Sequence, residues 1–324
     1  MITPTAPRRL LAGLSLGLVA LHGSLSHAAD AVPAAPARGN PAAPPAPAIV
    51  NAPLRPPLPV SQLSPAVTLP AVAIARPSPE EVAIAKAALD KFSPQADAAT
   101  KAVLAKYPTM LEVRPPRANN LLIPGLNAGY RQKHANNVAR IAEGPIDLMF
   151  MGDSITDSWR TTGRAVFEKY YGQYRTANFG IGGDTIQGVL YRLRDGEGEG
   201  YSPKAIMLMI GTNNTPSSTS AEIAEGIGAI VHDMRTRFPA AKILLLGIFP
   251  RADPGTAPRN TALGVNPIIA KLHDGKNIFY MDIGDKFLDP SGAILHMPDK
   301  LHPNAAGYEV WAEAVKDKVA ELMK

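Results

Sequence analysis

The sequence predicts an α/β fold, a three-layer α/β/α sandwich around a central, mainly parallel five-stranded sheet, over residues 127–324. Three observations carry that expectation. The apolar runs Ile146–Met151, Ala205–Ile210, Lys242–Phe249 and Asn277–Ile283, with a weaker run at Tyr174–Phe179, are short, continuous and rich in Ile, Leu, Val and Met, as strands buried on both faces are. Helical stretches separate them. Turns containing Gly, Asn and Asp follow the runs, at the carboxyl ends where parallel sheets hold their ligands.

The chain ahead of the sheet has a different character. Arg8 and Arg9 precede an apolar stretch from Leu10 to Leu21, and Ser26-His27-Ala28 supplies small residues at the −3 and −1 cleavage positions, so residues 1–28 read as a secretory signal peptide. The stretch is shorter than the roughly 20 residues a membrane span needs, so no transmembrane anchor is expected after cleavage. The residues around Arg8-Arg9 match a twin-arginine signal poorly. An exported protein, periplasmic or extracellular, is the expected product. Residues 29–79 hold 14 of the 32 prolines, mostly interleaved with alanine. Proline removes backbone donors, so this stretch is expected to be a disordered tether.

Residues 80–110 form a preface with a 15-residue repeat. Ser78-Pro79 leads to Lys86, Leu89, Lys91 and Phe92, and Ser93-Pro94 to Lys101, Leu104, Lys106 and Tyr107 at matching offsets. Each Ser-Pro pair predicts an N-cap with proline in the first helical turn, hence two short helices packed on the following domain. Within the sheet region the clearest helix starts at Thr219. Glu222 completes its capping box, and Ile223, Ile227, Ile230, Val231 and Met234 share one face. A last helix runs from Asn304 to Met323. Pro267 falls inside a helix expected over Asn260–His273 and threatens to break it.

Composition narrows the chemistry. With no cysteine, the chain has no disulfide, thiolate metal site or thiol nucleophile. The 33 Lys+Arg against 28 Asp+Glu give +5, which falls to +3 once Arg8 and Arg9 are cleaved away, so no nucleic-acid partner is indicated.

Oxygen nucleophiles remain, and one stands at the first strand end. Ile146–Met151 runs into Gly152-Asp153-Ser154-Ile155-Thr156, which places Ser154 where the chain leaves the sheet and starts a helix. A lone Gly-Asp-Ser is more often a plain turn. The second run ends in Asn178-Phe179-Gly180-Ile181-Gly182-Gly183-Asp184-Thr185, whose spacing lacks the full dinucleotide pattern, and the third ends in Gly211-Thr212-Asn213-Asn214. Just before the last helix lies Asp299-Lys300-Leu301-His302, where a carboxylate three residues from an imidazole can fix its tautomer. Among the histidines beyond residue 28, His232 lies on the polar side of its helix. His273 and His296 lie in turns without an evident partner, and neither they nor His134 form a metal-ligand spacing.

Taken in order, Gly152-Asp153-Ser154, the glycines of 180–183, Gly211-x-Asn213 and Asp299-x-x-His302 resemble the four blocks of the SGNH (GDSL-type) hydrolases. The wording of the second and third blocks, with Val189-Leu190-Tyr191-Arg192-Leu193 between them, is similar to the catalytic subunits of platelet-activating-factor acetylhydrolase Ib and their bacterial relatives. The resemblance covers about Ile146 to Lys324. It implies a flavodoxin-like sandwich and a serine esterase with Ser154 as nucleophile, His302 as base and then acid, and Asp299 orienting the imidazole. The implied oxyanion hole is the N–H of Ser154, the N–H of Gly183 and the side-chain amide of Asn213. No cofactor or metal is implied.

The bulky neighbours Ile155 and Leu301 are candidate walls of a small acyl pocket, although sequence adjacency fits core packing equally well. Short acyl esters, acetyl above all, are the expected substrates, and an exported enzyme suits small-molecule or glycan esters. A long-chain lysophospholipase or lipase is the alternative. A non-catalytic cell-wall binding protein is disfavoured by the intact nucleophile, base, carboxylate and amide. Because the related animal subunits pair, a homodimer is a further expectation.

Overall fold

All five apolar runs form strands. The computed structural model describes residues 71–107 and 118–324, so the expected signal peptide and most of the tether lie outside the described residues. In chain order the helices and strands are α1 (Pro79–Gln95), α2 (Ala98–Lys106), α3 (Arg131–Ala142), β1 (Leu148–Gly152), α4 (Ser154–Asp157), α5 (Arg164–Tyr171) and β2 (Thr176–Asn178). They continue with α6 (Ile186–Arg192), β3 (Ala205–Met209), α7 (Ser220–Arg237), β4 (Lys242–Leu246), α8 (Ala257–Ile269), β5 (Ile278–Met281) and α9 (Ala305–Leu322). The sheet order is β2-β1-β3-β4-β5 and every pairing is parallel, with Leu148 opposite both Thr176 and Ala205. Strand order reverses between β1 and β3, which opens a crevice at the carboxyl ends of those two strands. Ser154 follows one and Asn213 the other.

Alternation along β1 builds two cores. Met149 and Met151 face a cluster with Ile186, Val189 and Leu190 of α6, Ile223, Ile227 and Ile230 of α7, and Val265 of α8. Leu148 and Phe150 face the other cluster, with Val166 and Tyr171 of α5 and Tyr308, Trp311 and Val315 of α9. Helices therefore cover both faces, as the continuous apolar runs require. Among the described residues no helix is long and apolar enough to cross a membrane. β2 is an edge strand, and its outward carbonyls are occupied. Arg140 Nη2 donates to the Thr176 carbonyl at 3.1 Å, and Arg160 donates to that of Asn178.

Local signals place α7 and α9 correctly and mislead in the preface. Thr219 and Glu222 form the reciprocal capping box, and Asn304 caps α9 through the Gly307 N–H. Pro267 does not break α8, which continues to Ile269 before a 3₁₀ turn at Ala270–Leu272. The carbonyl that Pro267 deprives of its donor belongs to Leu263, which is 49% exposed, so water can serve it. Ser78 caps α1 as expected, but Ser93-Pro94 lies inside α1, and the second helix is capped instead by Asp97, which accepts from the Thr100 N–H. Neither helix buries a side chain. Ile84, Phe92, Val103 and Tyr107 stay about half exposed, so the expected packing on the domain is not formed.

The last part of the proline-rich stretch does dock. Val72 is buried in the core beside α7, the Ile74 N–H donates to Glu225 Oε1 at 3.2 Å, and the Arg76 guanidinium makes two 2.8 Å bonds to the same carboxylate. The anchored domain thus begins before residue 79.

Candidate active site

Gly152 closes β1 where a Cβ would lie 2.3 Å from both the Met209 carbonyl and the Thr156 hydroxyl, so only glycine fits between the two strand ends. Asp153 then caps α4, its Oδ1 accepting from the Ile155 N–H at 3.0 Å. Ser154 is the first residue of that helix, a position whose N–H has no intrahelical acceptor. From the far end of the chain, the turn before α9 brings His302 Nε2 to 2.9 Å from Ser154 Oγ. His302 Nδ1 lies 2.6 Å from Asp299 Oδ2, while Asp299 Oδ1 accepts from the N–H groups of Leu301 at 3.0 Å and His302 at 2.7 Å.

This turn fixes a tautomer. Burial pushes the Asp299 carboxyl up, but the backbone and imidazole donors outweigh it and hold it below the usual range. An ionised carboxylate only accepts, so Nδ1 carries the proton and Nε2 is left to accept from the serine hydroxyl. Asp153, next to the nucleophile, behaves in the opposite way. It is fully buried, its Oδ2 has no hydrogen-bond partner among the described residues, and burial pushes its carboxyl up to about 7.

The glycine-rich turn after β2 is held against α4 by Asn178, which heads the turn's own motif, and by Asp157, which carries none. Asn178 Nδ2 donates to the Thr156 carbonyl and its Oδ1 accepts from the Gly180 N–H, each at 2.8 Å. Asp157 Oδ2 accepts from the Gly182 N–H at 3.1 Å and pairs with Lys133 at 2.7 Å. Gly183 adopts a φ of +81°, which favours glycine, and a Cβ there would meet the Tyr130 hydroxyl at 2.3 Å and displace it. Asn213 Nδ2 donates one hydrogen to the Asp184 carbonyl at 2.8 Å, which orients the amide and leaves its second hydrogen available. Asn214 locks the same two turns from below, accepting from the Ile186 N–H at 3.1 Å.

Behind these turns lies a buried ionic cluster. Arg192, fully enclosed, bonds Asp184 Oδ2 at 2.9 Å and the Phe179 carbonyl at 3.0 Å, and pairs with Glu197. Glu197 also meets His134 Nδ1 at 2.8 Å. Burial pushes His134 down, but Glu197 and Asp195 outweigh it, and the imidazole sits above its ordinary value. His134 and Arg192 are therefore structural. The signal available in the sequence was Arg192 itself, a charge set between Leu190 and Leu193 on the apolar side of a short helix.

Of the remaining candidates, Ile155 is buried among the aromatic side chains of the α9-facing core and Leu301 packs at its margin, so core packing accounts for both. His232 is 41% exposed on its side chain, and His273 accepts from the Tyr280 N–H at 3.0 Å. A cavity of about 560 Å³ opens along α3 and the edge strand β2, lined by Lys133, Asn136, Arg140, Asp157, Arg160 and Phe167 among others.

The model of the GDSL-like lipase/acylhydrolase family matches residues 150–310. The rat platelet-activating factor acetylhydrolase IB subunit alpha2 is 35% identical over 181 residues, 55% of this chain and 78% of that protein. The human alpha1 subunit is 31% identical over 193 residues, covering 59% and 82% respectively. Among solved structures, a Bacteroides fragilis protein described as an acylhydrolase superposes with a TM-score of 0.50 at 20% identity, over 62% of this chain and 100% of its own, a likeness of fold.

Proposed function

Since the chain belongs to the family of GDSL-like lipases and acylhydrolases and is a carboxylic ester hydrolase, we propose that it cleaves short-chain acyl esters, acetyl esters above all, through a Ser154 acyl-enzyme. The observation that carries this reading is the unbroken path from Ser154 Oγ to His302 Nε2 and from His302 Nδ1 to Asp299. In it His302 Nε2 takes the hydroxyl proton as Ser154 Oγ bonds to the ester carbonyl carbon, and the carbonyl π pair moves onto oxygen. That oxyanion is met by the N–H groups of Ser154 and Gly183 and by the free hydrogen of the Asn213 amide. Loss of one such donor ordinarily costs about 3–4 kcal/mol of transition-state stabilisation. Collapse breaks the bond to the alcohol oxygen, which takes the proton from His302. Water, deprotonated by the same imidazole, then adds to the acyl carbon, and collapse breaks the bond to Ser154 Oγ, which takes its proton back from His302 as the acid leaves.

Acetyl preference draws support from the related acetylhydrolase subunits. An exported enzyme suits a carbohydrate or glycan ester as substrate better than an intracellular lipid. The names of the same relatives favour a lipid ester as the second reading. A ladder of nitrophenyl esters from acetate to palmitate, run beside acetylated sugars and a lysophospholipid, separates them. Turnover should fall steeply beyond butyrate, and a rise toward palmitate would establish the lipid reading instead. Ser154→Ala should lower kcat by at least about 10⁴-fold with an unchanged unfolding curve. Retained turnover would remove Ser154 from the mechanism. Export through the segment Arg8–Ala28 belongs to the same proposal. A mature chain starting at Ala29 outside the cytoplasm is the expected product, and an intact Met1 there would contradict it.

A further inference from the structure

Resting on the serine-esterase reading, we infer that Arg251, Ala252 and Asp253 form a strap that sets the spacing between the oxyanion side of the site and its base, with Arg251 as a positioning residue. The strap follows β4 and reaches both catalytic turns within three residues. Toward β3, Arg251 Nη1 donates to the Thr212 carbonyl at 2.5 Å, and lies 3.3 Å from Thr212 Oγ1 and 3.2 Å from Thr215 Oγ1. Thr215 Oγ1 itself donates to the Thr212 carbonyl at 2.8 Å. Thr212 immediately precedes Asn213, so this carbonyl fixes the peptide from which the amide projects. Toward α9, the Ala252 N–H donates to the Lys300 carbonyl at 2.9 Å, and the Asp253 carboxylate pairs with Lys300 Nζ at 2.7 and 2.8 Å. All of these bonds fall on the residue directly after Asp299.

Two features mark the strap as more than a loop. Ala252 and Lys300, joined by that backbone bond, both take left-handed conformations, with φ of 55° and 58°, without being glycine. Non-glycine residues persist there only where their surroundings hold them, a condition that clusters at functional sites. Among the described residues, Arg251 also has no carboxylate within hydrogen-bonding distance. Its Nε is buried without a partner among the described residues, as is Oδ2 of Asp153. A desolvated guanidinium directed at backbone and hydroxyl oxygens is costly to keep unless those oxygens must stay in place.

The test compares Arg251→Met, Arg251→Lys and Thr215→Val with the parent chain on nitrophenyl acetate, with active sites counted by fluorophosphonate labelling. Affinity for a trifluoromethyl ketone, whose serine adduct carries the oxyanion, is measured alongside. Arg251→Met should lower kcat per labelled site about 10–100-fold, the range a displaced catalytic group costs. KM should stay within about threefold, and ketone affinity should fall by the same factor as kcat. Arg251→Lys, which keeps one charged donor for the Thr212 carbonyl, should recover part of the loss, and Thr215→Val should show a smaller loss of the same kind. An unchanged kcat per labelled site, or a loss without a matching loss of ketone affinity, would overturn the proposal. If Arg251→Met does not fold, Arg251→Lys and Thr215→Val decide by the same two readouts. Failure of the underlying reading looks different, because Ser154→Ala would then stay active and still take the label.

Discussion

Asp153 and Asp299 show how two carboxyl groups near one serine are driven apart. Asp299 gathers three donors and stays ionised, whereas Asp153 has one backbone donor and a buried, unpartnered oxygen. With its folded value near 7 against 3.8 for the free group, Asp153 holds a proton in the folded state across pH 4–7 that the unfolded chain releases. The folded state therefore binds more protons in this window, and the contribution of Asp153 to stability is present below about pH 4 and lost as pH rises to about 7. Asparagine keeps the acceptor for Ile155 and does not ionise. The melting temperature of Asp153→Asn should therefore fall less than that of the parent between pH 4 and 7, as read by scanning calorimetry on both chains. Parallel curves would show that Asp153 is ionised when folded. The sequence made Ser154, His302 and Asp299 legible because each sits in a short motif at a predicted strand end. Asp157 and Arg251 were not, because their partners lie 25 and 39 residues away and become neighbours only once the sheet forms.

At the level of elements, α6 explains why an arginine belongs on the buried side of a helix. Val189, Leu190 and Leu193 face the core, and Arg192 turns inward to neutralise Asp184 and Glu197 beneath the glycine-rich turn. Removing one member of such a buried set leaves uncompensated charge, at a cost of about 3–5 kcal/mol. Arg192→Met should lose that much in urea denaturation and soften the turn bearing Gly183. A change below about 1 kcal/mol, the scale of an exposed ion pair, would mean that water reaches the two carboxylates. α7 and α9 were readable from capping residues and periodicity because both signals are local. The Ser-Pro repeat misled because Pro94 is tolerated inside α1, and a cap is decided by the geometry at Asp97 rather than by composition.

Across the whole molecule, the docked segment Val72–Arg76 closes α7 from outside the sheet region. It buries Val72 and supplies Ile74 and Arg76 to the Glu225 carboxylate, which Asn119 also bonds. A chain starting at Pro77 gives up that burial and leaves Glu225 with Asn119 alone among these partners. Its melting temperature should drop by roughly 6–12 °C, from about 3 kcal/mol at about 2–4 °C per kcal/mol for a domain of this size. A chain starting at Ala71 should melt with the parent, and equal melting of both truncations would show the anchor to be dispensable. The parallel sheet and both helical layers were legible in the alternation of apolar runs, whereas this anchor was hidden by its proline-rich neighbours. The two arginines on the outer side of β2 carry a last consequence, for the company the protein keeps. An unguarded edge invites a strand from another chain, the first step toward runaway association. Here Arg140 and Arg160 already occupy the acceptors such a visitor would need. Strand addition along β2 is thereby closed off, and this short strand can remain at the rim without becoming a template for fibrils.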